Sequence, residues 1–130
     1  MIVLDASAVI ELLLQTAIGK RVARRIAARS QGLHSPHLVD VEVLQVLRRW
    51  EARGALSSDR AAEAVVDLAQ LDLRRHPHDV LSSRIWELRA NVTAYDAAYL
   101  ALAEALRAPL LTTDGRLARA PGHRATVEVA

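Results

Sequence analysis

The sequence predicts a three-layer α/β/α sandwich around a mainly parallel β-sheet. Two short apolar runs, at 2–4 and 110–112, are typical of strands that are buried on both faces. Segments with helical spacing alternate with short strand-like runs along the chain, and this alternation is typical of a parallel sheet covered by helices. In sheets of this kind, ligands bind outside the carboxyl ends of the strands.

The composition predicts a cytoplasmic protein of one domain. The chain has 130 residues, of which 52% are hydrophobic, so we expect a single folded core over residues 1–130 and no disorder. No apolar run reaches about 18 residues, and we therefore expect no membrane span. The first residues lack the basic start of a signal peptide, and the absence of cysteine excludes disulfides and thiolate metal ligands.

Amphipathic spacing predicts two helices after the first strand. The run over 6–14 begins directly after Asp5, whose side chain is of a type that caps helices. The run over 16–29 has an apolar side opposite a basic stripe, for which a solvated helix face is the alternative interpretation. The basic stripe consists of Lys20, Arg21, Arg24, Arg25 and Arg29.

Proline and glycine residues mark the ends of the next elements. A strand over 32–36 ends at a proline, and the helix over 37–53 ends at Gly54, a residue typical of a C-terminal cap. That helix is apolar on two sides, so we expect it within the core or in an oligomer interface. The remaining expected elements are helices over 57–71, 77–90 and 93–107, strands over 72–75 and 110–112, a helical turn over 115–120 and an edge strand over 126–129.

Two aspartates follow the two apolar strands. Asp5 comes directly after the first strand and Asp114 comes just after the strand over 110–112. The carboxyl ends of parallel strands meet at one edge of a sheet, so we expect these two carboxylates on the same edge. A helix cap at Asp5 and a turn before Gly115 at Asp114 are the alternatives.

Two further acids belong to helices. Asp96 stands three residues after Thr93, which resembles a capping box, but a helix that begins at the carboxyl edge would also direct Asp96 into the same cleft. Glu42 lies on the most apolar helix of the chain, and its alternative is a solvated glutamate beside Gln45 or Arg49. We therefore treat both as candidate members of one acidic site.

In this order and spacing, the acids resemble those of the PIN domain. The resemblance rests on Asp5 after an apolar strand, Ser7, Glu42, the run Tyr95-Asp96-Ala97-Ala98-Tyr99 and the run Leu111-Thr112-Thr113-Asp114. It covers essentially the whole chain, whose length is similar to that of the VapC-type toxin ribonucleases of bacterial toxin–antitoxin pairs. The resemblance implies that Asp5, Glu42, Asp96 and Asp114 are catalytic and that Ser7 and Thr112 are supporting hydroxyls.

An acidic site of this kind requires a cation. Carboxylates that converge without one repel each other and raise each other's pKa values. Oxygen ligands suit Mg²⁺, with Mn²⁺ as a substitute, and such ions can activate a water for attack on a phosphodiester. The resemblance therefore implies that Asp5, Asp96 and Asp114 are metal ligands and that the protein hydrolyses RNA.

The resemblance also implies partners. These are an RNA substrate, a cognate antitoxin protein and a second copy of the chain in a homodimer. We expect RNA phosphates to contact the basic stripe, chiefly at Arg21, Arg24 and Arg25. The chain has only four aromatic residues, so we expect no broad base-stacking platform for single strands.

We weigh several other functions against the nuclease on the same residues. A receiver domain needs a lysine after a late strand, but Lys20 is the only lysine, and a haloacid-dehalogenase-like phosphatase needs an aspartate where Ser7 stands. A PIN-like nuclease could instead act in RNA maturation or on structured DNA. A non-catalytic RNA- or protein-binding module is disfavoured, because phosphate binding alone favours fewer negative charges than this chain retains.

Overall fold

The computed structural model of the chain describes residues 1–28 and 32–130. Within them, the strands are β1 (Ile2–Leu4), β2 (Leu33–Pro36), β3 (Leu73–His76), β4 (Leu110–Thr112) and β5 (Val127–Val129). The helices in the same residues are α1 (Ala6–Leu14), α2 (Ala17–Ala27), α3 (Leu38–Ala52), α4 (Ser58–Gln70), α5 (Ser82–Glu87), α6 (Ala94–Leu106) and α7 (Gly115–Arg119). A 3-10 turn (Asp79–Leu81) precedes α5. None of the helices in this described part of the chain has the length and apolarity needed to span a bilayer.

The five strands form one parallel sheet in the order β3-β2-β1-β4-β5. The strand β1 is its centre, and all three of its residues are fully buried. It is paired on one side with β2 and on the other with β4, where Val3 is opposite Leu110. The prediction of a mainly parallel sheet in an α/β/α fold is confirmed, and β5 is an edge strand as expected.

Polar side chains directly before α1 and α2 cap these two helices. Asp5 accepts the backbone N–H of Ala8 at 3.0 Å and caps α1, while Thr16 accepts that of Gly19 at 3.0 Å and caps α2. These caps satisfy backbone donors that the first turn of a helix leaves unpaired. The predicted helix over 16–29 is present from Ala17 to Ala27, and residue 29 lies outside the described residues.

Gly19 allows α2 to lie directly against α1. A Cβ atom at this position would be 1.9 Å from the carbonyl oxygen of Glu11. No side chain fits at that distance from a backbone atom, so the two helices can approach this closely only at a glycine. The helix that Asp5 caps is therefore held by its neighbour in sequence.

The segment over 77–90 differs from the single helix that the sequence predicts. It contains a 3-10 turn and then only the six residues of α5. Neither His78 nor Leu81 supplies a side-chain cap, and Leu81 and Leu88 are the residues that this segment buries. Uncapped segments with few buried residues gain too little to extend a regular helix.

Candidate active site

Two carboxylates lie at the carboxyl edge of the sheet, at the ends of neighbouring parallel strands. Asp5 follows β1 and caps α1, and Asp114 follows β4 and caps α7 by accepting the backbone N–H of Arg116 at 2.9 Å. Both side chains also line one cavity of about 650 Å³. Capping and membership of the acidic site are therefore compatible at both positions.

Two helices bring further carboxylates to the same cavity. Asp96 is in the first turn of α6, where its backbone N–H donates to the Thr93 cap at 3.2 Å, and Glu42 is on α3. Glu11 of α1 also lines the cavity, although no sequence motif pointed to it, and its side chain accepts a hydrogen bond from the hydroxyl of Thr16. The four candidate acids, distant in sequence, thus face one space.

Two hydroxyl groups connect the strand ends around Asp5. Ser7 Oγ donates to Asp5 Oδ1 at 2.6 Å, and the fully buried Thr112 Oγ1 donates to Asp5 Oδ2. The same hydroxyls accept backbone N–H groups on the other side, from Thr113 at 3.0 Å and from Asp114 at 3.0 Å. Ser7 and Thr112 therefore hold Asp5 and the segment leading to Asp114 in a fixed relation.

Burial and mutual repulsion raise the pKa values of three of these acids. For Asp5 the largest cause is burial, which outweighs the hydrogen bonds from Ser7 and Thr112, and the charge of Asp96 raises the pKa further. Burial also raises the pKa of Glu42, with the charges of Asp96 and Asp5 acting in the same direction. These acids favour a nearby positive charge when they are ionised.

The pKa values of Asp96 and Asp114 shift in opposite directions. For Asp96 burial is the largest cause of a raised pKa, and the charge of Asp114 adds to it. Burial would also raise the pKa of Asp114, but hydrogen bonds from the backbone and guanidinium of Arg116 outweigh it and lower that pKa. Asp114 therefore loses its proton at a lower pH than an ordinary aspartate, and Asp96 loses its proton at a higher pH.

Tyr99 is a site residue whose role the sequence did not reveal. Its hydroxyl donates to Glu42 Oε1 at 2.6 Å, and the residue is only 2% exposed. Burial and the neighbouring carboxylates raise the pKa of this hydroxyl, so it remains a donor. Tyr99 is three residues from Asp96 on one helix, and residues at that spacing share a helix face. The spacing of Tyr99 from Asp96 was therefore the feature of the sequence that could have identified Tyr99 as a site residue.

The donor atoms of the cavity fit a hard divalent cation that keeps part of its water shell. All the candidate ligands are carboxylate oxygens, and the repulsion among them is the electrostatic condition that such a cation relieves. Across residues 1–28 and 32–130, no three histidine, aspartate or glutamate side chains are close enough to hold one ion. Mg²⁺ commonly uses one or two carboxylates and several waters, so this arrangement fits it.

The described members of the basic stripe, which are Lys20, Arg21, Arg24 and Arg25, do not line this cavity. Arg21 and Arg24 are exposed on α2, as the prediction of RNA contacts requires. Arg25 is instead held by Glu128 of β5, to which its Nε donates at 2.6 Å and its Nη2 at 2.9 Å. This pair joins residues 103 apart in sequence, which helical spacing alone cannot reveal. The guanidinium of Arg25 is therefore less available to a phosphate than those of Arg21 and Arg24, and RNA contact by all three stays a prediction.

Replacing Thr112 with valine should reduce the free energy of unfolding by about 1–3 kcal/mol, because it leaves a buried carboxylate oxygen and a backbone N–H without their shared partner. Urea denaturation would measure the change. Thr112→Ser, which keeps the hydroxyl, should recover most of the loss. A loss of stability with serine and none with valine would show that the methyl group, not the hydroxyl, matters at this position.

Comparison with known proteins identifies the family. The PIN domain model matches residues 2–123. Ribonuclease VapC12 of Mycobacterium tuberculosis is 44% identical to this chain over 129 residues, covering 99% of this chain and 98% of the relative. Ribonuclease VapC9 of the same species is 45% identical over 117 residues, covering 90% of this chain and 88% of the relative. The resemblance drawn from the motif residues is confirmed.

Solved structures with low sequence identity share the fold. PAE2754 from Pyrobaculum aerophilum superposes with a TM-score of 0.71 at 23% identity and covers 99% of this chain and 83% of its own. VapBC2 from Rickettsia felis, solved with a DNA fragment from the promoter of VapBC2, superposes with a TM-score of 0.70 at 15% identity. That match covers 99% of this chain and 98% of the other. By its sequence relatives and its fold, the chain belongs to the PIN-domain family and, within it, to the VapC proteins.

Proposed function

We propose that this chain is a metal-dependent endoribonuclease that acts as the toxin of a toxin–antitoxin pair. The observation that carries the proposal is the single cavity lined by Asp5, Glu42, Asp96 and Asp114, three of which have pKa values raised by burial and by one another. The relatives that share 44–45% of this sequence are named ribonucleases, which supports RNA as the substrate.

The carboxylates would hold the metal, and their neighbours would hold the carboxylates. We assign the metal site to Asp5, Asp96 and Asp114, of which one or two would contact Mg²⁺, or Mn²⁺ as a substitute, directly and the rest through its waters. When bound, the ion lowers the pKa of a water and offsets the negative charge of the scissile phosphate. Glu42 completes the acidic wall and could accept a proton from a water in the cavity.

The chain's own hydrogen bonds orient these acids. Thr112 and Ser7 fix both oxygens of Asp5, and Tyr99 occupies Oε1 of Glu42. Hydrogen bonds of this type orient the groups that contact a metal. Arg116 is 86% exposed at its side chain beside Asp114, where it can meet a phosphate of the RNA backbone.

Cleavage of RNA with and without divalent metal tests the proposal. The purified chain should cut an oligoribonucleotide in Mg²⁺ or Mn²⁺, lose this activity in EDTA and recover it when Mg²⁺ is restored. Cleavage that persists in EDTA would contradict metal dependence. In cells, growth arrest on expression of the chain should be suppressed by a small open reading frame adjacent to its gene, as expected for a toxin and its antitoxin in the cytoplasm.

We also propose that the chain forms a homodimer. Large apolar side chains remain exposed on α3 and α4, which pack on each other. They are Leu44, Val65 and Val66, whereas Val41 of α3 lines the carboxylate cavity. Exposed apolar residues on two helices that contact each other are compatible with a protein interface. Light scattering on dilution should give twice the chain mass of 14.2 kDa, and a monomer at micromolar concentration would contradict the dimer.

A further inference from the structure

Three of the four aromatic residues of the chain meet in the carboxylate cavity. Trp50 near the end of α3, Tyr95 in the first turn of α6 and Tyr99 one turn later all line it, whereas Trp86 on α5 is not among its lining residues. Trp50 and Tyr95 are 45 residues apart in sequence, so their meeting is a product of the fold. The hydroxyl of Tyr99 donates a hydrogen bond to Glu42, so Trp50 and Tyr95 are the aromatic residues of the cavity that remain available to contact a ligand.

The residues that line the cavity are of two chemical kinds. One kind is the carboxylates, and the other, which we call the apolar wall, consists of Trp50 and Tyr95 with Leu38, Val41 and Val46. At about 650 Å³ the cavity is of the size that holds a small organic molecule, much larger than an ion with its waters. Tyr95 is 64% exposed, so its ring is accessible to a ligand.

We propose that the apolar wall binds one unpaired nucleobase of the RNA, stacked on Tyr95 beside Trp50, next to the phosphate at the carboxylate wall. This inference rests on the nuclease function proposed above. A nucleobase is flat and uncharged, so it suits an aromatic wall beside a negatively charged one, where a second phosphate would be repelled. Arg49, also at the cavity, supplies a planar cation next to Trp50.

The proposal defines the class of substrate. In a duplex both faces of a base are covered by neighbouring bases, so only a single strand, a loop or an extruded nucleotide can stack on Tyr95. Stacking on aromatic side chains depends little on base identity, because every base has a flat face. The chain should therefore select unpaired RNA first and sequence second, using one base rather than a long platform.

Trp50 offers a direct probe that needs neither metal nor cleavage. In the full-length Trp86→Phe variant, Trp50 is the one remaining tryptophan. Titration in EDTA with adenosine or uridine should give a saturable change in its fluorescence, whereas ribose, which lacks a base, should give none. The absence of a response to every nucleoside at millimolar concentration would overturn the proposal.

Tyr95 is the residue on which the outcome depends. Adding Tyr95→Ala to the single-tryptophan variant should weaken nucleoside binding about 5- to 100-fold, and Tyr95→Phe, which keeps the ring, should not. Because Tyr95 is largely exposed, removal of its side chain leaves the core intact, and the melting temperature checks this. Unchanged affinity in Tyr95→Ala would overturn the role of this residue.

Cleavage assays separate this inference from the nuclease function itself. In Mg²⁺, Tyr95→Ala should raise KM for an unpaired oligoribonucleotide by the same 5- to 100-fold factor. Trp86→Ala, which removes an aromatic side chain of 67% exposure outside the cavity, should not. If the parent binds nucleosides but cuts no RNA, the nuclease proposal fails and the nucleobase wall is supported. If Trp50 responds to an apolar, basic peptide and to no nucleoside, the wall belongs to a protein partner and the inference fails.

Discussion

Asp96→Asn is expected to reduce Mg²⁺-dependent RNA cleavage by at least about 100-fold, because loss of a ligand charge removes several kcal/mol of transition-state stabilisation. The side chain keeps its shape, so the change is one of charge. Measurement of kcat/KM on an unpaired oligoribonucleotide would show it. Asp5→Asn should have an effect of the same size. Full activity in either variant would disprove the proposed mechanism.

Asp59→Asn is the matched control for Asp96→Asn. Asp59 is also in the first turn of a helix, α4, but is exposed and does not line the cavity. Its replacement should leave cleavage within about twofold, because surface substitutions rarely change more than about 0.5 kcal/mol. A large loss of cleavage in Asp59→Asn would mean that a negative charge in the first turn of any helix affects activity, and that the effect is not specific to the acidic site.

Stability in EDTA distinguishes the two roles that Asp96 could have. The pKa of Asp96 is raised in the folded chain, so its ionisation at neutral pH opposes folding. Removing the charge should therefore leave the melting temperature equal to or above that of the parent when no divalent metal is present. A clearly lower melting temperature would instead make Asp96 a structural cap of α6.

Gly19→Ala is expected to reduce the free energy of unfolding by about 2–3 kcal/mol, the cost typical of overpacking. Helix propensity alone predicts the opposite change, because alanine in an ordinary helix interior is more stable than glycine by about 1 kcal/mol. The reason is the Glu11 carbonyl oxygen, 1.9 Å from the position of the added methyl group. Urea denaturation at neutral pH would measure the difference.

The exposed Ala23 of the same helix provides the reference for Gly19. Ala23→Gly should lose about 1 kcal/mol through propensity alone. If Gly19→Ala gained the same amount, α1 and α2 would have to be further apart than described.

Local signals predicted the sheet and the acidic edge correctly. The strands β1 and β4 are continuous apolar runs, and a parallel sheet necessarily brings the residues after them to one edge. Asp5 and Asp114 followed from that rule without knowledge of any contact. Glu42 and Asp96 were candidates on weaker local grounds, because a glutamate on an apolar helix and an acid in a first turn are common in other roles, and the family resemblance strengthened their choice.

Contacts between distant residues were the part that the sequence could not show. The pairing of Arg25 with Glu128 and of Tyr99 with Glu42 depends on how helices lie on the sheet. The same holds for two histidines: His34 is buried, and its Nδ1 lies 2.8 Å from Nε2 of His76. Burial and repulsion between the rings lower the pKa of His34, a consequence of neighbours that only the fold supplies.

The central position of β1 sets how firmly the acidic edge is held. The amide of Val3 donates to Pro109 and that of Asp5 to Leu111, while β2 pairs along the opposite side. A central strand that is hydrogen-bonded on both sides cannot separate from the sheet by local opening. Its amide hydrogens should therefore exchange with deuterium only when the entire molecule unfolds. The carboxylate of Asp5 is thus anchored to the slowest-opening part of the polypeptide, and loosening of peripheral helices leaves it in place.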